Sequence, residues 1–91
     1  MKIKAIKIQL ETVFKIFDKH NVLLEEIYDV LKNDKPIFRK VSGNQYVAFG
    51  VSRNRYLTIF FMYDKITKEA EITTTYPSDR KQIKYYKKVG K

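Results

Sequence analysis

Proton-transfer chemistry has few places to reside in this chain. There is one histidine, His20, no cysteine, and ten carboxylates without metal-ligand spacing. Composition therefore excludes a thiolate nucleophile, a disulfide framework and a cysteine–zinc site. One histidine with scattered carboxylates makes no recognisable metal-ligand set, so neither metal nor cofactor is expected. What remains is His20 with lysine, arginine and tyrosine. Lysine and arginine stabilise developing negative charge. A lysine or tyrosine crowded by cations gives up its proton more readily and then serves as an acid or base.

The cations are unevenly placed. Residues 1–34 carry six basic and six acidic side chains, whereas residues 35–91 carry thirteen basic and four acidic, so the second part holds the whole net charge of +9. Such a field attracts polyanions, and phosphate contacts by Lys and Arg release counterions. The bias suits RNA or DNA, an acidic protein or an anionic membrane, so it names a class of ligand and not an activity. Membrane attachment through residues 80–88 is disfavoured, because that stretch has too few large apolar residues on one face. No run approaches eighteen apolar residues, and Met1-Lys2-Ile3-Lys4 does not lead into the apolar stretch of a signal peptide. Together with the absence of cysteine this fits a soluble protein of a reducing cytoplasm.

The elements that must position these groups follow from periodicity. A chain of 91 residues, 44% hydrophobic and without a linker or repeat, is expected to form a single domain over residues 1–91. Ile3, Ala5, Ile6 and Ile8 read as a short strand. Leu10, Val13, Phe14 and Phe17 fall on one stripe of a helix, which predicts that stripe, Phe14 included, in the core. Lys19-His20-Asn21 is its exit, since Asn tolerates a left-handed helix end. A second helix places Leu23, Leu24, Ile27, Tyr28 and Leu31 inward and Glu25, Glu26 and Asp29 outward, and Asn33-Asp34-Lys35-Pro36 stops it.

From there the texture is β. Ile37–Val41 and Gln45–Val51 flank the turn Ser42-Gly43-Asn44. Ser52-Arg53-Asn54 turns into Arg55–Tyr63, a run apolar on both faces and so the central strand, with Phe60 and Phe61 in the core. Asp64–Lys68 is a polar turn and Glu69–Tyr76 the last strand. Pro77-Ser78-Asp79 opens a basic helix, with Ser78 or Asp79 as cap. The expected class is α+β: an antiparallel sheet of four to five strands, packed mainly on one face by two N-terminal helices and a basic C-terminal helix.

In this order the residues resemble the BrnT-type toxins of prokaryotic toxin–antitoxin pairs. The resemblance rests on Lys19-His20-Asn21-Val22, Glu25-Glu26, Asn54-Arg55-Tyr56-Leu57 leading into Thr58-Ile59-Phe60-Phe61, Thr73-Thr74-Thr75-Tyr76, and Arg80–Lys88 with Tyr85-Tyr86. It covers nearly the whole chain. It implies a RelE-like fold, cleavage of RNA, and neutralisation by a DNA-binding BrnA-like antitoxin. The assembly would be a homodimer or a toxin–antitoxin heterotetramer. Four positions depart from the pattern. Tyr76 stands where the family has an arginine and Thr74 where it has a serine. Gln82-Ile83 replaces a Glu-Arg pair, and Leu23 replaces a helix-capping Ser or Thr.

Metal-free cleavage of RNA needs a base for the 2′-hydroxyl, donors for the phosphate and an acid for the 5′-oxygen. The resemblance directs these roles to Lys19, His20, Arg55, Tyr76 and Arg80, with Arg53, Lys81, Lys84, Tyr85 and Lys88 holding RNA. Backbone phosphate is the expected target of the lysines. Tyr85 and Tyr86 point about 100° apart, which predicts one packed ring and one free to stack on a base. Either Tyr76 or Arg80 takes the place of the missing arginine, or the chain is a non-catalytic relative that holds nucleic acid or an acidic partner.

Overall fold

A computed structural model describes residues 1–32 and 35–90. Asn33 and Asp34, where the second helix was expected to stop, lie outside the described residues. The order of elements is β1 (Ala5–Lys7), α1 (Leu10–His20), α2 (Leu24–Lys32), β2 (Ile37–Ser42), β3 (Gln45–Ser52), β4 (Arg55–Asp64), β5 (Glu69–Pro77) and α3 (Arg80–Val89). They build one five-stranded sheet in the order β1-β5-β4-β3-β2. β4 is central, and Leu57, Ile59 and Phe61 on it are shielded from water. A strand apolar on both faces must be covered on both, which the middle of a sheet provides.

The sheet is antiparallel from β2 to β5, but β1 pairs with β5 in parallel, Ala5 opposite Glu69 and Lys7 opposite Glu71. The whole chain between them forms the crossover that a parallel pair needs.

Helices cover both faces. Neighbouring residues of a strand point to opposite sides, and on β3 they meet different helices. A Cβ on Gly50 would come 2.7 Å from Val30 of α2, while the Phe49 ring lies 5.4 Å from that of Tyr85 on α3. Gly50 thus permits a close approach of α2 that any larger residue blocks. α1 and α2 lie on the face that carries Leu57, Ile59, Phe61 and Tyr63, and α3 lies on the other, at the end near Tyr56 and Ile37. The expectation of helices mainly on one face holds for α1 and α2. α3 crosses because Tyr85, Tyr86 and Gln82 all find partners on the far side.

Three readings of the N-terminal helices are corrected. Leu23 and Tyr28, placed inward with Leu24, Ile27 and Leu31, are exposed at 37 and 39%, and Val30 is buried instead. The stripe Leu10, Phe14 and Phe17 is exposed, at 68, 60 and 45%, and Ile16 is the buried residue of α1. α1 packs along β5 beyond the short β1, so only its Thr12–Ile16 side meets the sheet, and Phe14 is not in the core. Glu26, expected to face solvent, is 3% exposed because Arg55 takes it inward. Phe60 is half-buried on the α3 face, whereas Phe61 is fully buried.

Among the described residues no helix is long and apolar enough to cross a membrane.

Candidate active site

His20 is the last residue of α1. Asn21 follows at φ 54°, ψ 39°, a left-handed cap whose N–H donates to the Phe17 carbonyl. This ends the helix as the sequence predicts and turns the chain into Val22, which is buried. Leu23 has no side chain with which to cap α2. Glu26 supplies the other half of a capping box instead, accepting from the Leu23 N–H at 3.1 Å.

Tyr76 arrives from β5, and a bulge decides which way it faces. The pairing of β4 with β5 slips between Phe60 and Phe61, so that Thr74 lies opposite Phe60 but Ile72 opposite Phe61. Thr73 is the inserted residue, and its hydroxyl donates to the Phe60 carbonyl at 3.0 Å. Without the insertion Tyr76 and Ile72 would share a face, since they are four residues apart. With it, Ile72 enters the core and Tyr76 emerges on the α3 face beside Thr58 and Phe60.

There the Tyr76 ring lies 5.8 Å from that of His20 and 6.1 Å from that of Phe60. Its hydroxyl accepts from Gln82 Nε2 at 3.1 Å. Gln82 is itself held from three sides. Its side-chain oxygen accepts from the Asp79 N–H at 2.9 Å and from the Thr58 hydroxyl at 3.1 Å, and its backbone N–H donates to Asp79. Asp79 is therefore the cap of α3, in a complete capping box with Gln82. The Ser78 hydroxyl, 2.7 Å from that of Thr58, closes the network. Sequence reasoning noted Gln82 only as a departure from a family pattern. The spacing of Asp79 and Gln82 was the available signal, because a capping box fixes the glutamine's position.

Lys19 and His20 line a recess of about 260 Å³ together with Thr73 and Thr74 of the bulge and Lys15. A larger hollow of about 540 Å³ lies at the opposite end of the sheet, around the Asp64–Lys68 turn. Glu69, Glu71 and Asp64 line it with Lys7 and Lys65, and Lys7 is paired with Glu69 at 3.0 Å, so acid outnumbers base there.

α3 turns Gln82, Tyr85 and Tyr86 toward the sheet, which by helical geometry sets Arg80, Lys84 and Lys88 on its outer side with Lys81 at the border, while the Lys87 ammonium folds back to 5.6 Å from the Tyr56 ring centre. All five cations are exposed. Neither tyrosine is a free platform: Tyr85 packs on Phe49 with the Arg39 guanidinium 5.5 Å from its ring centre, and Tyr86 packs against Tyr56 at 5.8 Å.

Arg53 and Arg55 lie elsewhere. Arg53 occupies the β3–β4 turn at φ 51°, 4.0 Å from Asp29 of α2. Arg55 is engaged on three bonds: Nε to Glu26 Oε2 at 2.9 Å, Nη2 to Glu26 Oε1 at 2.7 Å, and Nη2 to the Asn21 carbonyl at 2.7 Å. The forked contact with Arg55 holds the Glu26 carboxyl below its usual range despite burial, and raises the guanidinium further. Arg55 thus secures the residue after His20. The structure brings together His20, Tyr76 and Gln82, with Lys19 beside His20 and Arg80 one residue beyond the cap. It does not bring Arg53 to them.

No family model matches the sequence, and no curated protein matches it. Comparison of folds does find a counterpart. The crystal structure of the Brucella abortus ribonuclease toxin BrnT superposes with a TM-score of 0.68 at 8% sequence identity, covering 87% of this chain and all of the other. The fold is BrnT-like. The α+β class and the resemblance read from the sequence are both borne out at the level of fold, with a mostly antiparallel sheet and three helices.

Proposed function

We propose that this chain is an endoribonuclease toxin that cleaves RNA without a metal, at the surface where α1, β5 and α3 meet. The observation that carries the reading is the pairing of the His20 and Tyr76 rings at 5.8 Å beside a row of cations. An acid and a base that serve one phosphodiester must each come within about 3 Å of a reacting oxygen, and neighbouring side chains meet that condition from one side of the phosphate.

The reaction is internal transesterification. His20 takes the proton of the 2′-hydroxyl, whose oxygen attacks the adjacent phosphorus. The bond from phosphorus to the 5′-oxygen breaks, and the Tyr76 hydroxyl donates its proton to that oxygen. The products are a 2′,3′-cyclic phosphate and a 5′-hydroxyl end, and the proton returns from His20 to Tyr76 through water. Lys19 and Arg80 stabilise the charge on the phosphate, and Lys84, Lys81 and Lys88 hold flanking phosphates. Gln82 aims the Tyr76 hydroxyl. Arg55 acts as a positioning residue through Asn21 and Glu26, and Arg53 and Tyr85 play at most a part at the edge of the RNA. The BrnT-like fold supports a cognate antitoxin as the protein partner.

The test is purified protein on a defined RNA, read by the ends it produces, with His20→Gln, Tyr76→Phe and Arg80→Ala alongside. Cyclic-phosphate ends that each variant reduces at unchanged thermal stability support the proposal. RNA binding without turnover in the wild-type protein replaces it with the second reading, a non-catalytic binding module. Tyr76, a neutral residue where the resemblance expects arginine, is the observation that favours that second reading.

A further inference from the structure

Only one side of α1 meets the sheet, and what it meets there is the slipped part of β5. Thr12, Lys15, Ile16 and Lys19 fall at i, i+3, i+4 and i+7, one face of the helix. Ile16 is buried on that face. Around it Thr12, Lys15, Lys19 and His20 line a recess together with Thr73 and Thr74 of the bulge. Thr12 and Thr74 are half-buried, and the Thr73 hydroxyl is held by the Phe60 carbonyl.

The lining of this recess differs from that of the other hollows. Asp64, Glu69 and Glu71 line the one at the far end of the sheet, and Asp29 lines another beside Ser52 and Arg53. No carboxylate lines the recess, which offers two lysines, one histidine and three threonine hydroxyls. Glu11 does pair with Lys15 at 3.3 Å, but the two side chains are 74 and 65% exposed, so the contact is weak and yields to an anion.

Size and spacing narrow the ligand. At about 260 Å³ the recess is smaller than the pockets of about 300–1,000 Å³ that enclose drug-sized molecules. It suits one phosphate group rather than a base. Lysines one turn apart stand about 6 Å apart along a helix, close to the step between neighbouring phosphates of a single strand. With Lys19 on the scissile phosphate, Lys15 is placed for the next one.

The two rings say which neighbour that is. His20 lines the recess, whereas Tyr76 leads through Gln82 to α3. The attacking 2′-hydroxyl belongs to the nucleotide on the 5′ side of the scissile bond, and the leaving oxygen to the one on the 3′ side. A base at His20 and an acid at Tyr76 therefore lay the 5′ side of the strand over the recess and the 3′ side over α3. We infer that the recess between α1 and the bulge of β5 binds the phosphate immediately 5′ of the attacking ribose, through Lys15 and the hydroxyls of Thr12 and Thr74, and so sets the polarity of the RNA. The polarity rests on the proposed roles of His20 and Tyr76; the phosphate site rests on the recess alone.

The test uses the full chain and a UpA dinucleotide with 2′-deoxyuridine in first place, which has one internal phosphate and stays uncut. Versions with an added 5′-terminal or 3′-terminal phosphate are compared with it by NMR titration. The 5′-phosphate is expected to tighten binding about tenfold, the effect of a charge-assisted contact, and to shift the amides of Thr12, Lys15, Thr73 and Thr74. Lys15→Ala, which truncates an exposed side chain, removes most of that gain and Thr74→Val part of it, with melting curves to verify both folds. The gain from a 3′-phosphate survives both substitutions. Three results overturn the inference: no gain from the 5′-phosphate, a gain that both variants keep in full, or a recess that responds to the 3′-phosphate instead. Cleavage of the all-ribose dinucleotide carrying the 5′-phosphate is read separately. Cleavage without the gain in binding removes the inference and leaves the proposed reaction standing. The gain without cleavage keeps the phosphate site and removes the reaction.

Discussion

Substituting Arg55 by methionine, which keeps the stem and removes the fork, tests whether the arginine positions or reacts. Glu26 then keeps a carboxylate of which 5% meets water, with the Leu23 N–H as its remaining donor. Breaking a buried pair by removing one partner costs about 3–5 kcal/mol, but the Arg55 side chain is 33% exposed, so water enters the vacated space and the cost falls to about 2–3 kcal/mol. A domain of this size holds about 5–13 kcal/mol in all, and the loss lowers its melting temperature by about 10–20 °C. Glu26→Leu alone strands the guanidinium less severely. The double variant, apolar on both sides, recovers about 1 kcal/mol or more relative to the sum of the single losses. Urea unfolding of the four proteins gives the coupling directly. Amide exchange should also rise around 19–23, because the Asn21 carbonyl loses its donor. A coupling below about 0.5 kcal/mol, or Arg55→Met that lowers RNA cleavage at unchanged stability, refutes the reasoning and returns Arg55 to the reacting groups.

The Glu26 carboxyl sits below its usual 4.5 in the folded chain, so the unfolded chain binds its proton first as pH falls. The stability it contributes is complete above about pH 5 and is lost as pH drops below 4.5 toward the folded value, and Glu26→Gln flattens that part of an acid-unfolding curve. The Thr75 hydroxyl is fully buried without a hydrogen-bond partner among the described residues, so Thr75→Val, equal in shape, raises stability by about 1 kcal/mol in urea unfolding; a loss would mean that the hydroxyl is satisfied. Arg80→Ala reduces the salt slope of RNA binding by about one, whereas Tyr76→Phe, which removes no charge, leaves the slope unchanged and lowers turnover. A Tyr76→Phe variant that binds RNA less tightly but turns it over normally contradicts the proton-donor role.

What the sequence revealed, and what it hid, divides along the range of the interactions. Asn21 at a helix end, Asp79 as a cap and Gly43 in a hairpin are local conformational choices, and each stands where its residue type predicts. The double apolar face of β4 also marks it as central without knowledge of its neighbours. The misreadings all required a partner distant in the chain. The α1 stripe looked like core because periodicity reports an apolar face and not what covers it. Glu26 looked solvated because Arg55, which draws it inward, lies 29 residues on. The parallel edge of β1 on β5 is invisible locally, since it joins the two ends of the sheet-forming chain.

The bulge at Thr73 shows why the site was harder to read than the fold. An alternation count along Glu69–Tyr76 puts Ile72 and Tyr76 on one face, and one inserted residue separates them, with Ile72 toward the core and Tyr76 toward His20. A site assembled by a register slip leaves no periodic trace. The same geometry bears on Tyr76, which stands where the resemblance to BrnT-type toxins expects arginine. A guanidinium at this position would bring its own charge to the phosphate. In the proposed reaction the phenol brings a proton, and Gln82 and the Phe60 ring fix its direction. The charge must then come from elsewhere, and the solvent-facing cations of α3, which begin at Arg80 just beyond the cap, are placed to supply it. On the proposed reaction, Tyr76→Arg therefore does not rescue turnover in a chain whose α3 cations have been removed.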